Sequence, residues 1–111
     1  MPRPQNDNSA MHPNLAPHAD AITALCQRLG VKRLELFGSA AADTFEPGRS
    51  DYDFLIELDP LAAGSRAQRI IDLAEALETV LGAPVDLVNP HYIRNPFFAA
   101  EVERTRTPVY G

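Results

Sequence analysis

The chain has 111 residues, 45% of them hydrophobic, which is enough for one domain with a single modest core and too few for a two-domain enzyme. Ten basic residues against fifteen acidic ones leave a net charge of −5. That balance argues against an extended phosphate-neutralising surface for nucleic acid and favours a small substrate or a protein partner. Cys26 is the lone cysteine, so no internal disulfide forms, and its apolar neighbours mark it as a small core residue. Met1 to Asn8 lacks the apolar stretch of a signal peptide, and no run approaches the roughly 20 apolar residues that span a bilayer. The expectation is a cytoplasmic protein without a membrane segment.

Residues 1–16 hold Pro2, Pro4 and Pro13 among polar side chains and read as a loose arm, leaving 17–111 as the domain. Pro17 can open a helix in which Ile22, Leu25, Cys26 and Leu29 share one face until Gly30 ends it. Lys32 to Phe37 alternates Leu34 and Leu36 against Arg33 and Glu35, a strand pattern interrupted by Gly38-Ser39. A short helical turn over 40–42 and a loop marked by Pro47, Gly48 and Ser50 lead to Asp51-Tyr52-Asp53-Phe54-Leu55-Ile56-Glu57-Leu58, whose apolar density predicts a central strand covered on both faces. Ser65 and Gln68 suit a capping box, followed by a stripe through Ile70, Leu73, Ala74, Leu77, Val80 and Leu81 that stops at Gly82. Pro84 to Val88 reads as a third short strand, and Asn95 caps a last short helix with Pro96 at its first position. Thr107 to Tyr110 is read as a tail.

The chemistry-bearing residues are carboxylates. Asp51 and Asp53, two apart on a strand, project from one face with backbones roughly 6.5 to 7 Å apart. Asp86 lies inside Val85-Asp86-Leu87-Val88, where a buried carboxylate needs a positive partner. Clustered carboxylates raise one another's pKa, and a divalent cation removes that penalty. Oxygen-only ligands select Mg²⁺ or Mn²⁺ over zinc, and two such ions can orient an attacking hydroxyl and stabilise a departing pyrophosphate. Taken alone, the same residues also fit an exposed strand start, a surface pair and a sheet-edge aspartate, because Asp-x-Asp is a weakly specific pattern. Gly38-Ser39, where a strand meets a helical turn, presents amides and a hydroxyl suited to phosphate, or serves as an ordinary cap. Neither a Walker lysine motif nor a dinucleotide fingerprint is present.

Leu36-Phe37-Gly38-Ser39, an eleven-residue spacer and Asp51-Tyr52-Asp53-Phe54-Leu55-Ile56 together resemble the signature of the minimal nucleotidyltransferases of the DNA polymerase beta superfamily. The similarity extends through Pro47 to Ser50, Pro84 to Val88 and Arg94-Asn95-Pro96-Phe97-Phe98, covering about residues 18–110. It implies an α/β (α+β) fold, a small mixed sheet flanked by helices. It further implies Asp51, Asp53 and Asp86 as catalytic metal ligands, with Asp86 helping to deprotonate the acceptor, and Gly38 and Ser39 as the grip on the triphosphate. Members of the class often act as antitoxins to HEPN-type ribonuclease toxins, some by transferring AMP from ATP to a toxin tyrosine, and that partnership is an analogy. The spacer is one residue longer than in many relatives, and Ala42-Asp43 replaces a frequent Arg-Gly pair, putting a carboxylate where a cation often stands.

The remaining polar residues read as structural. His12, His18 and His91 lack ligand spacing and are assigned surface or cap roles. Arg66 and Arg69 are read as solvated, Tyr52 as core, and Phe97, Phe98 and Tyr110 as packing over the sheet rather than a partner patch. The leading expectation is AMP transfer to a hydroxyl of a partner toxin. The alternatives are a non-catalytic antitoxin acting by occlusion and, last, an aminoglycoside-type small-molecule nucleotidyltransferase, which normally carries an additional substrate domain.

Overall fold

In the computed structural model, residues 15–38, 51–62 and 64–111 are described. Helix α1 (Ala19–Arg28) buries Ile22 and Cys26 of the predicted stripe, with Leu25 and Leu29 partly buried against the same core and Ala19 buried besides. It is entered through a 3₁₀ turn, Ala16–His18, that contains Pro17 and is closed by the His18 amide donating to the Leu15 carbonyl at 2.8 Å. Of the stretch read as an arm, 1–14 lies outside the described residues, while Leu15 is wholly buried in the core. Burial pushes the Cys26 thiol up to about 12, which leaves it protonated and inert.

Strands β1 (Val31–Phe37), β2 (Tyr52–Leu58), β3 (Val85–Val88) and β4 (Thr107–Tyr110) form one sheet in the order β3-β2-β1-β4. β1 runs antiparallel to both β2 and β4, whereas β2 and β3 are parallel. A parallel pair needs a long crossover, and α2 (Arg66–Leu81) supplies it. The stretch read as a tail is therefore an edge strand. Pro108 is tolerated there because one side of an edge strand has no ladder to donate to.

The helix ends follow their sequence signals with one difference. Ser65 Oγ accepts from the Gln68 amide at 3.2 Å, and Gly82 closes α2 in the left-handed region at φ 68°. The Gln68 side chain, however, donates to Asp72 Oδ1 at 2.9 Å instead of turning back to Ser65, so only half of the capping box is made. Asn95 Oδ1 accepts from the amides of Phe97 and Phe98 at 2.8 and 3.2 Å and starts α3 (Pro96–Thr105).

The alternation of β2 divides the protein into two layers. Tyr52, Phe54, Ile56 and Leu58 face the main core with Ile22, Cys26, Leu73 and Leu77 of α1 and α2. Leu55 points the other way and packs with Phe37 and Val102 of α3. Among the described residues, apolar cover on this second face centres on Leu55, and Asp53 and Glu57 on either side are only half-buried. The expectation of a strand covered on both faces holds for its middle alone, because α3 is short.

Candidate active site

Asp53 is the second residue of β2, and the parallel register sets it directly opposite Asp86 of β3. Neighbouring strands stand about 4.8 Å apart, so the two side chains leave the same face side by side. Asp51 lies one residue before β2 and is exposed. The Tyr52 amide donating to the Pro84 carbonyl at 3.0 Å carries the β2–β3 ladder up to this point.

Asp86 is exposed, which corrects the premise that β3 encloses it. β3 is the sheet edge, and solvent reaches its residues. Adjacency, not burial, makes the position informative. Burial raises the Asp53 carboxyl above the ordinary carboxylate value, and the negative charges of Asp86 and then Asp51 raise it further. Among the described residues, no arginine, lysine or histidine pairs with any of the three.

β1 ends against this cluster, with Phe37 opposite Asp53 in the antiparallel ladder and Gly38 immediately beyond. Gly38 has φ 76°, and a β-carbon there would stand 3.0 Å from Asp53 Oδ2. The backbone angle is what favours glycine, and a β-carbon would in addition press on the Asp53 carboxylate, which would have to shift by a few tenths of an ångström. The Gly38 amide does not point into open space, as a phosphate turn predicts, but donates to Thr105 Oγ1 of α3 at 2.9 Å. Ser39, Ala42, Asp43 and Pro47 to Ser50 lie outside the described residues.

The donor set is all oxygen, anionic and short of positive charge, which suits a hard divalent cation. Among the described residues, no three His, Cys, Asp or Glu side chains already converge closely enough to hold one ion. Ligation by Asp51, Asp53 and Asp86 therefore requires side-chain rotation, which exposed groups such as Asp51 and Asp86 make within picoseconds to nanoseconds.

Other polar residues have structural work. Arg69, expected in solvent, is buried in the α2 face that carries Leu73 and Leu77. Its Nη1 donates to the carbonyls of Leu29, Gly30 and Asp59 at 3.4, 3.2 and 3.3 Å. This is the end of the sheet opposite Asp53, so Arg69 holds backbone together. Its i, i+4, i+8 relation to Leu73 and Leu77 is the sequence signal for that burial. A cavity of about 150 Å³ is lined by Arg33, Glu35, Leu55, Glu57, Pro90, His91 and Arg106. Its polar groups face one another: Arg106 Nε donates to Glu35 Oε1 at 3.0 Å, and Arg33 Nε and His91 Nε2 lie 3.7 and 3.6 Å from Glu57. Phe98 packs edge-on against Phe37, but Phe97, expected over the sheet, is 85% exposed. The helix turns Val102 inward, lays Phe98, itself 39% exposed, against Phe37 and leaves Phe97 outside.

No helix of the described residues is long and apolar enough to cross a membrane. The profile of the nucleotidyltransferase domain family matches residues 19–108. A solved protein described as a minimal nucleotidyltransferase is 31% identical, with a TM-score of 0.66 over 85% of this chain and 91% of that one. A toxin–antitoxin crystallised with AMP-PNP superposes with a TM-score of 0.61 at 21% identity, over 84% and 73% of the two chains. A toxin–antitoxin MntA–HpeT variant does so with a TM-score of 0.58 at 22% identity, over 83% and 71%. No curated protein matches the sequence. The four-stranded mixed sheet and its flanking helices are thus the polymerase-beta-like fold, and the chain belongs to the nucleotidyltransferase domain family, among the minimal nucleotidyltransferases.

Proposed function

We propose that this nucleotidyltransferase moves AMP from ATP to a hydroxyl of a protein partner, a tyrosine of a HEPN-type toxin, and so acts as its antitoxin. The observation that carries the reading is the register that sets Asp53 beside Asp86, with Asp51 two residues away and side-chain-free Gly38 against Asp53. The toxin–antitoxin structures that share the fold, one of them with AMP-PNP, support the choice of partner and nucleotide.

Asp51, Asp53 and Asp86 would hold Mg²⁺ or Mn²⁺. A divalent cation supplies charge neutralisation for the triphosphate and an electrophilic pull on phosphorus. In the transfer itself, the acceptor oxygen bonds to the α-phosphorus, the bond to the β-phosphate oxygen breaks, and pyrophosphate leaves. Asp86, exposed at the sheet edge, accepts the hydroxyl proton. Gly38 and Ser39 border the triphosphate. Among the described residues no element covers Asp53 and Asp86 on the second face, which leaves room for an acceptor supplied by another chain.

The test is incubation with labelled ATP, Mg²⁺ and the protein encoded beside it. Label on a partner tyrosine is the expected result, and absence of label while the two proteins bind would refute the reading. Exposed Phe97 favours a second one, neutralisation by binding alone. An Asp53→Asn variant separates them: full neutralisation by that variant selects occlusion.

A further inference from the structure

Thr105 is the last residue of α3, buried, and sixty-seven positions from the glycine it contacts. Its hydroxyl proton is committed, because Oγ1 donates to the Glu101 carbonyl at 2.8 Å, one turn back in its own helix. A hydroxyl has a single proton, so the oxygen turned toward Gly38 can only accept. It accepts from the Gly38 amide at 2.9 Å. The polarity of this contact is therefore fixed, and no rotation of the hydroxyl reverses it without breaking the Glu101 bond.

Gly38 is the junction between β1 and the turn beside Asp53, and glycine at φ 76° has many other conformations open to it, so a bond is needed to hold this one. Two further contacts tie α3 to the same stretch of β1. Phe98 meets Phe37 with ring centroids 5.7 Å apart at 72°, and Arg106 donates to Glu35. These two anchor the helix but touch side chains only. Thr105 alone among them bonds the backbone of the turn.

We infer that Thr105 is a positioning residue of the nucleotide site, one that fixes the Gly38 backbone against Asp53 and so sets where the phosphate turn begins. The inference rests on the proposed nucleotide site. Removing the hydroxyl frees the Gly38 amide and lets the turn drift, weakening triphosphate binding while the aspartates stay in place. One hydrogen bond of this kind is worth a change of about 3- to 10-fold in affinity.

The experiment compares wild type, Thr105→Val and Thr105→Ser by amide hydrogen exchange at Gly38 and by titration with a non-hydrolysable ATP analogue and Mg²⁺. The Gly38 amide should be protected in wild type, lose protection in Thr105→Val and regain it in Thr105→Ser, with analogue affinity about 3- to 10-fold weaker in Thr105→Val alone. Circular dichroism melting verifies that the valine variant is folded; if it is not, Thr105→Ala takes its place as the variant without the hydroxyl, with Thr105→Ser as the control that keeps it. Equal analogue affinity in wild type and a folded Thr105→Val, or an unprotected Gly38 amide in wild type, overturns the inference. A wild type that binds no analogue overturns the nucleotide reading itself, and the inference with it.

Discussion

The two ends of the β1–β2 pair treat charge in opposite ways. At the Gly30–Asp59 end, Arg69 is buried and one guanidinium nitrogen, Nη1, donates to three backbone carbonyls, with no described carboxylate within ion-pair distance. At the Gly38–Asp53 end, three carboxylates lie near one another without a described cation in an ion pair with them, and the nearest glycine brings no side chain. The first arrangement lowers the energy of the fold by satisfying backbone acceptors. The second raises it, and an arrangement that costs stability is expected where a ligand supplies what is missing.

The contrast can be broken most sharply at Asp53. Asp53→Asn should lower nucleotidyl transfer about 10²- to 10³-fold, the range typical for loss of a group that stabilises transition-state charge. The same substitution should leave the melting temperature unchanged or higher, since it removes repulsion. A loss of activity accompanied by unfolding would contradict the assignment. At the other end the signs reverse: Arg69→Met should cost about 2 kcal/mol and roughly 10 °C in melting temperature by removing the charge-assisted bonds that tie α2 to the Leu29, Gly30 and Asp59 backbone. Its effect on transfer at a temperature where the variant is folded should be small.

A subtler effect concerns pH. The Asp53 carboxyl titrates above its unfolded value, so between the two values the native state holds a proton the unfolded chain has lost. Stability should therefore fall as pH rises from about 4 through the raised value and level off above it. Denaturant titrations across that window should show the fall in wild type and lose it in Asp53→Asn. The smallest effect is expected at Phe97, whose ring is 85% exposed. Phe97→Ser should change stability by less than about 0.5 kcal/mol. If transfer to the partner nevertheless falls while nucleotide binding stays intact, that ring belongs to the docking surface.

Local signals read well because they are local. The Ser65, Gly82 and Asn95 caps and the Ile22–Cys26 and Leu73–Leu77 faces follow from spacing within one element. β4 was not legible, because four residues with a proline acquire strand character only from the β1 edge they pair with. Asp86 shows where local reading stops: its sequence neighbours suggest burial, whereas the structure leaves it exposed and sets it beside Asp53 by a parallel register that no local pattern encodes. Thr105 was invisible for the same reason, its partner being at the far end of β1. Arg69 was legible in principle from its spacing to Leu73 and Leu77, but a charged residue on an apolar stripe is usually at its solvent margin.

The central claim is that the Asp51, Asp53 and Asp86 end of the sheet holds divalent metal. Titrating Mn²⁺ into isotopically labelled protein and following paramagnetic broadening of the amide signals tests it directly. The account predicts broadening centred on residues 51–53, 86 and 38, abolished in Asp53→Asn. Broadening centred instead on Glu35 and Glu57, or unchanged in that variant, would contradict it.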